Sequence, residues 1–459
     1  MDIEEKTFDD TVEEIIELLE NRQYRSAREE ILKNNGVDAA EILEEIIEEL
    51  GIKIAIVIFR MLPKDMSVEV FSYLTIDDQK DIINGITDVE LSYIIDELDF
   101  DDKIDVLEEL PANIVDKILE KSTKAERRLI NTFLNYPDDC AGSLMTPEYI
   151  SLQGSMTVRE ALRHIKNEGM DSETVYTCYV KSGGRKLEGI VSLRTLVISD
   201  DDALISDLMH TDFVDVNVYD DQEEVSDAFM KYGFLAIPVV DNEGRLVGIV
   251  TIDDIMDVIE EEATEDIERM AGVLSDDDDR EYLDISVWGH IKSRIMWLTL
   301  MMFTAMITGG ILGAFEDMLT PTLVCYIPLL MGTSGNAGNQ AATLVTRGIA
   351  VGDLDTDDVL KVLWKEFRIS IGICLVLAGI NFIKVLVIDR VDITTAMIIN
   401  LSLVIIVIIA KMLGGLIPMA AKKLGIDPAL VANPLLTSLS DMISVVTYFA
   451  IASLMMTNV

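Results

Sequence analysis

The spacing of apolar residues changes twice along the chain. In the first stretch they recur every three or four positions, in segments such as "VEEIIELLENRQYRSAREEIL", "PKDMSVEVFSYL", "DVELSYIIDEL", "DDKIDVLEEL" and "PANIVDKIL". That period places them on one face of a helix, so residues 1–136 are predicted to form short amphipathic helices in series, an α-superhelical array. Leu62-Pro63 and Leu110-Pro111 punctuate the series, each proline standing at a helix start where its missing N–H costs nothing. From about 138 to 265 the pattern shortens and repeats. "LMTPEYISLQGSMTVREAL" from Leu144 answers to "LMHTDFVDVNVYDDQEEV" from Leu208, and "GIVSLRTL" from Gly189 answers to "GIVTIDDI" from Gly248. Each unit reads strand, helix, strand, strand, helix, with "DNEG" as the hairpin turn of the second.

Beyond residue 290 the apolar runs lengthen. A membrane span needs ~20 mostly apolar residues, and five windows qualify, about 293–314, 322–345, 368–388, 393–421 and 430–456. An odd number of spans puts the two termini on opposite sides. Lys292 and Arg294, then Arg347, Lys361, Lys365 and Arg368, then Lys422 and Lys423 mark the cytoplasmic loops, whereas "FEDMLTP" and "DRVD" are poor in basic residues and are expected outside. Trp288 and Trp297 are placed to anchor the first span. This arrangement predicts a multi-pass protein of the plasma membrane, embedded in a lipid bilayer, with a cytoplasmic N-terminus and an external C-terminus.

Composition changes the picture by halves. Asp and Glu outnumber Lys and Arg 82 to 37, for a formal charge of −45, while 49% of residues are apolar. Residues 291–459 carry eleven basic and eleven acidic side chains, so the whole excess lies in the first 290 residues. No nucleic acid partner is expected of so acidic a chain. The opening "MDIEEKTFDD" is acidic, with no apolar run behind it, which predicts that this half stays in the cytoplasm. Cys140, Cys178, Cys325 and Cys374 follow no metal-ligand spacing and are expected to be reduced thiols.

Two spans carry polar residues. In "IPLLMGTSGNAGNQAATLVTRG", glycine and asparagine interrupt the apolar run, and lipid cannot satisfy free backbone groups, so this stretch must be buried in protein or face water. Asn336, Asn339, Gln340 and Thr343 make a polar stripe there; the competing account is small-residue packing through Gly332, Gly335 and Gly338. In the fifth span Asn433, Thr437 and Asp441 recur every four residues and line one helical face with oxygen. Hard oxygen ligands suit Mg²⁺, which keeps most of its waters beside one or two carboxylates. A charge at that depth costs at least ~2.5 kcal/mol to insert, so it is paired or functional. Lys411 in the fourth span is the competing partner, but at roughly ten residues, or ~15 Å, from its cytoplasmic end it can snorkel. A cation in transit is the favoured counter-charge of Asp441.

With "PLLMGTSGNAGNQAATLVTRGIAVGDL" and "LGIDPALVANPLLTSLSD" in a five-span half behind an acidic soluble half, the chain resembles the MgtE-type magnesium transporter family. The repeat resembles a tandem CBS (cystathionine-β-synthase-type) pair. The resemblance implies a multidomain membrane protein: an α-superhelical N-terminal domain at 1–136, an α/β tandem CBS pair at 138–260, a connecting plug helix at 261–287 and a five-helix transmembrane pore domain at 288–459. It implies a homodimer whose pore, on the dimer axis, is lined by the second and fifth spans, with Asp441 of both subunits at the ion site. It also implies an adenosine nucleotide such as ATP on the CBS pair, held through a Thr/Ser-x-x-Asp element. The second unit has this as Thr251 and Asp254, and the first has Ser192 and Thr195 instead. Ser444 stands where the family often has glycine, Gly233 where relatives can have an acid, and Lys411 where a polar uncharged residue is expected.

Carried over motif by motif, the resemblance proposes Mg²⁺ ligands at Glu69, Asp101 and Asp105 in the N-terminal domain and at Asp221, Glu223 and Asp254 in the CBS pair. It adds Glu262 and Glu265 in the plug, with Asp427 and Glu316 at the membrane faces. The physics of such a set is repulsion: two carboxylates ~6 Å apart at an effective dielectric of ~20 oppose each other by about 3 kcal/mol. A divalent ion between them reverses the sign. Cytosolic Mg²⁺ would then draw the acidic domains together and shut the pore, and because nearly complete switching needs ~5.5 kcal/mol, several sites must act together. The expected function is a Mg²⁺-selective channel or transporter for uptake under negative feedback. The alternatives are a CBS-regulated divalent-cation exporter or membrane sensor, and an intramembrane aspartyl enzyme, which would need two carboxylates where the chain offers one.

Overall fold

The computed structural model describes residues 7–170, 172–274, 282–283, 285–315 and 320–456. It divides into two compact units, Met1–Val258 and Ile259–Val459.

The first unit opens with α1 (Phe8–Glu20), α2 (Tyr24–Ile31), α3 (Gly36–Leu50), α4 (Ile52–Phe59) and α5 (Lys64–Ser72). The series continues with α6 (Ile76–Gly85), α7 (Asp88–Glu97), α8 (Phe100–Glu109), α9 (Ala112–Lys121) and α10 (Lys124–Phe133). Helices pack on the next but one, α1 on α3, α3 on α5, α5 on α7, α4 on α6 and α6 on α8, which is how a superhelical array buries one face per helix. Part of the acidity is local: Thr7 with Asp10, Thr87 with Glu90 and Thr123 with Glu126 form reciprocal capping boxes at helix starts. Pro63 and Pro111 sit at the N-caps of α5 and α9. The amphipathic run from Val12 is not one helix. Arg22 adopts a left-handed conformation (φ 59°), and the Arg22 and Gln23 amides close on Leu19 and Leu18 carbonyls, so the polar "NRQ" ends α1 and lets α2 turn back.

The repeat folds as two three-stranded sheets. One orders β1 (Tyr149–Leu152), β2 (Thr174–Lys181) and β3 (Leu187–Ser192); the other orders β4 (Val216–Asn217), β5 (Ala236–Val240) and β6 (Leu246–Thr251). In each the first pair is parallel and the second an antiparallel hairpin. The helices α11 (Val158–Glu168), α12 (Leu193–Ile198), α13 (Ile205–Leu208), α14 (Gln222–Tyr232) and α15 (Ile252–Ala271) complete it. The repeated "LM-x-T/P" and "GIV" segments are exchanged. Thr146 pairs with Ile249, and His210 with Ile190, by two backbone hydrogen bonds each of 2.8–3.0 Å. Glycine is required at both crossings. A Cβ on Gly189 would lie 2.8 Å from the His210 carbonyl oxygen, and one on Gly248 would lie 2.9 Å from the Thr146 carbonyl oxygen.

In the second unit α16 (Val287–Ala314), α17 (Pro321–Ala350), α18 (Val359–Ile383), α19 (Ile393–Lys423) and α20 (Pro428–Met456) follow the last turns of α15. Among the described residues four helical segments, α16, the one containing α18, α19 and α20, are long and apolar enough to cross a membrane. The remaining long helix, α17, carries the polar stripe. Half of the apolar window of α19 is buried against 11% for α16, so α19 is the axis on which α17, α18 and α20 pack while α16 keeps an apolar face outward. The glycine-rich stretch of α17 is continuous helix, not an interruption, so its carbonyls are satisfied within the segment. The acidic stretch "SDDDDRE" lies outside the described residues.

Candidate functional site

Three places concentrate polar chemistry. The first is where α17 meets α20. Ser334, Gly335, Ala337, Gly338, Ala341 and Ala342 form the buried face of α17, and a Cβ on Gly338 would lie 3.2 Å from Leu436 and 3.3 Å from the Ala410 carbonyl oxygen. A small residue therefore does set the close approach at Gly338, whereas a Cβ on Gly335 would meet only ordinary contact, 3.9 Å from Thr437, and Gly332 faces open space. On the other face Asn336, Gln340 and Thr343 are exposed. Asn339 turns to α20 and donates from Nδ2 to Thr437 Oγ1 at 3.3 Å, leaving its own Oδ1 buried without a partner. One turn beyond Thr437, Asp441 is half-buried, and its carboxylate makes no hydrogen bond or ion pair among the described residues. The Asn433 side chain and Glu316 lie outside the described residues. Ser444 is buried and back-bonds to the Ser440 carbonyl at 2.6 Å.

Lys411 is not the partner of Asp441. Its ammonium lies 3.7 Å from Glu366 Oε2 on α18, both side chains buried. Lysine at that depth finds a carboxylate, but the one at its own level on the neighbouring helix.

The second place is the C-terminal half of α15. Arg269 bridges Glu265, on its own helix, to Asp427, at 2.9 Å, in the turn before α20; Asp427 Oδ1 also accepts the Ala429 amide at 2.7 Å. Two of the proposed metal ligands thus hold a fixed guanidinium here. Asp266 beside them has its carboxyl pushed up by burial and by Asp427. Glu262 lies on the same helix and contributes negative charge to Asp266.

The third is a crowd of carboxylates in the first unit. Asp99, at the N-cap of α8, and Asp101, Asp102 and Asp105 on α8 meet Asp253 and Asp254, in the first turn of α15, and Glu173, before β2. Carboxylate oxygens of Asp99, Glu148 and Glu173 lie within 4.8 Å of one another, close enough to share a cation. None of Asp101, Asp102, Asp105, Glu173 and Asp254 makes an ion pair among the described residues. Desolvation, then neighbouring negative charge, raises Asp101 to about 7, Asp102 to about 6, Asp254 to about 7 and Glu173 to about 8. Asp105 is pushed up by the same causes, but its side chain is exposed, and water there holds the shift well below that of Asp101. The Thr251 hydroxyl donates to Asp254 at 2.6 Å, whereas in the first repeat Ser192 Oγ caps α12 and lies 2.8 Å from the Thr195 hydroxyl. Glu69 stands apart, exposed on α5 with its side chain over Gly36. Asp221 caps α14 by accepting the Glu223 amide at 2.9 Å, and both residues are exposed.

Family models match in the same order as these regions. The MgtE intracellular N domain matches residues 37–139, the CBS domain residues 141–200 and 205–261, and MgtE, described as a divalent cation transporter, residues 327–451. The magnesium transporter MgtE of Thermus thermophilus is 36% identical over 454 residues, covering 95% of this chain and 99% of that one. The chain belongs to the MgtE family. The MgtE of Bacillus subtilis is 31% identical over 98% of each chain. The crystal structure of a cytosolic domain of the Mg²⁺ channel MgtE in complex with ATP is 33% identical, with a TM-score of 0.50 over 54% of this chain and 99% of that one. As an MgtE chain this is a membrane transporter with cytosolic domains. Its MgtE match holds Asn339, Glu366, Lys411, Asp427 and Asp441, and its N-domain and CBS matches together hold the carboxylate crowd. Glu262, Glu265 and Arg269 fall between the CBS and MgtE matches. Sequence reading missed Asp99, Asp102, Glu148, Glu173 and Asp253. The run "DELDFDDKID" signalled the crowding around α8, but Glu148 and Glu173 precede separate strands and join only in three dimensions. It also missed Arg269, whose i,i+4 spacing from Glu265 was legible.

Proposed function

We propose that this MgtE protein carries Mg²⁺ into the cell and is shut by Mg²⁺ on its cytosolic side. The observation that carries the reading is the state of Asp441. A carboxylate in the middle of α20 has no side-chain partner among the described residues, while the buried lysine able to neutralise it is engaged by Glu366. A lone acid at that depth is costly unless a passing cation serves as its counter-charge, and a hydrated Mg²⁺ suits a path of carboxylate, hydroxyl and amide oxygens. Thr437, Asn339, Asn336 and Asn433 belong to that path in this reading, and a homodimer with its axis along the path doubles the charge to a divalent one. The protein then lies in the plasma membrane with its N-terminus in the cytoplasm and its C-terminus outside, divided at 1–136, 138–260, 261–287 and 288–459.

Feedback rests on the carboxylate crowd. Acids raised to about 6–8, by burial first and by one another's charge second, are costly to ionise until a divalent ion joins them, so Mg²⁺ among Asp101, Asp102, Asp105, Asp254 and Glu173 would stabilise the compact cytosolic arrangement. An adenosine nucleotide, ATP in a relative's cytosolic domain, would meet Thr251 and Asp254 here. The test is Asp441→Ala in a magnesium-auxotrophic host: growth and Mg²⁺ uptake are expected to be lost while the protein stays folded and membrane-inserted. Uptake at the wild-type rate would remove the pathway.

A further inference from the structure

Lys411 and Glu366 are buried charges that the pathway does not use. Their side chains are 5% and 8% exposed, and Glu366 Oε2 accepts no hydrogen bond, so charge and packing alone hold the pair. The packing is specific. Gly415, one turn on from Lys411 and on the same face of α19, lies against α18: a Cβ there would be in ordinary contact with Glu366 Cγ at 3.5 Å and tight against Val362 at 3.3 Å. On the adjoining face Gly414 presses on the Gly338 carbonyl oxygen and Ala341 of α17, and Gly338 touches both the Ala410 carbonyl and Leu436. The lysine backbone is therefore level with Leu436, which is five residues, or ~7.5 Å of helical rise, from Asp441. Along these spans Glu366 and Asp441 are the two carboxylates withdrawn from solvent near that level among the described residues, one paired and one alone.

An ammonium on a flexible four-carbon stem, left without its partner in a low-dielectric interior, moves to the next carboxylate within reach. We propose that Glu366 is a positioning residue for transport: by holding the Lys411 ammonium on the α18 side of α19, it keeps a fixed cation from occupying the Asp441 carboxylate. This inference rests on the transport reading above. It makes a lysine at position 411 tolerable. A lysine beside an ion path is compatible with cation passage only while a second acid sequesters it.

The experiment uses the full-length protein in vesicles, with external Mg²⁺ varied and entry followed by a Mg²⁺-sensitive dye. Wild type is expected to admit Mg²⁺; failure at that point overturns the transport reading itself. Glu366→Gln is expected to lower uptake at least ~10-fold at low external Mg²⁺, with the half-saturating concentration raised and the loss partly relieved at high Mg²⁺, because ion and ammonium compete for one carboxylate. A packing defect would instead lower the maximal rate. Lys411→Met alone is expected to keep uptake within about threefold of wild type, and the double variant to recover to that range. If Glu366→Gln is folded and transports as wild type does, the inference fails. It fails equally if Lys411→Met elutes as folded protein but does not transport, a readout that stands even where Glu366→Gln does not fold.

Discussion

The membrane core and the cytosolic acidic centre treat negative charge in opposite ways. In the core Glu366 is matched with Lys411 at 3.7 Å, and Asp441 is left as a single unmatched acid among the described residues. In the cytosolic unit Asp101, Asp102, Asp105, Asp254 and Glu173 gather without an ion pair among the described residues. The difference is one of solvent. Lipid offers no water or protons on demand, so each charge there needs a structural reason. In the cytosolic unit burial, and after it the neighbouring negative charge, favours the protonated carboxyl, which is what values near 7 mean. In the proposed function labour is divided accordingly: the core presents one charge to the ion in transit, and the cytosolic centre takes up the ion that shuts it.

The comparison breaks most visibly if the cytosolic crowd is neutralised. Asp101→Asn, Asp105→Asn and Asp254→Asn together are expected to raise the internal Mg²⁺ concentration that half-inhibits uptake at least ~10-fold, since ~1.4 kcal/mol of lost differential binding already gives that factor. An unmoved inhibition curve in a folded triple variant would reduce the crowd to solvation. A smaller effect sharpens the cause. These acids have folded pKa values of about 6–8 against unfolded values near 4, so the folded state holds more protons between those limits. The stability they contribute is complete below about pH 4 and is lost as pH rises through about 8. The metal-free cytosolic half should thus melt ~5 °C lower at pH 8 than at pH 6, with Mg²⁺ recovering most of the difference at pH 8 and little at pH 6. Melting that rises with pH in chelator would contradict the repulsion.

The architecture was legible because it rests on periodicity. The three-and-four spacing marked the helical array, "LM-x-T/P" with "GIV" marked the repeat, and the length of apolar windows marked the five long helices, four of which are long and apolar enough among the described residues to cross a membrane. Pairing was concealed. Nothing in "KEFRIS" and "IIAKML" says that Glu366 and Lys411 meet rather than Lys411 and Asp441, because helix neighbours and rotation are set by Gly414 and Gly415 packing on two sides of α19. Asp99, Glu148 and Glu173 likewise converge from three separate segments. Conversely, Glu69, Asp221 and Glu223, proposed by resemblance, lie outside the crowd, with Asp221 committed to capping α14.

The smallest expected effect lies between the two regions in chemistry, where Arg269 supplies to Glu265 and Asp427 a fixed cation that Asp101, Asp102, Asp105, Asp254 and Glu173 do not have among the described residues. The three side chains are about one-third exposed, so the Asp427 contact is worth at most ~1 kcal/mol. Arg269→Gln keeps the length and the hydrogen-bonding end but removes the charge, leaving Glu265, Asp266 and Asp427 as neighbouring acids. Their mutual repulsion should then invite Mg²⁺ at this membrane face as it does in the cytosolic centre. The half-inhibitory internal Mg²⁺ concentration is expected to fall by up to ~5-fold, and raising the ionic strength should shrink that gain because the site is open to screening. A half-inhibitory concentration that rises instead would mean that the guanidinium itself holds the shut arrangement, and that fixed and mobile cations are not interchangeable at this turn.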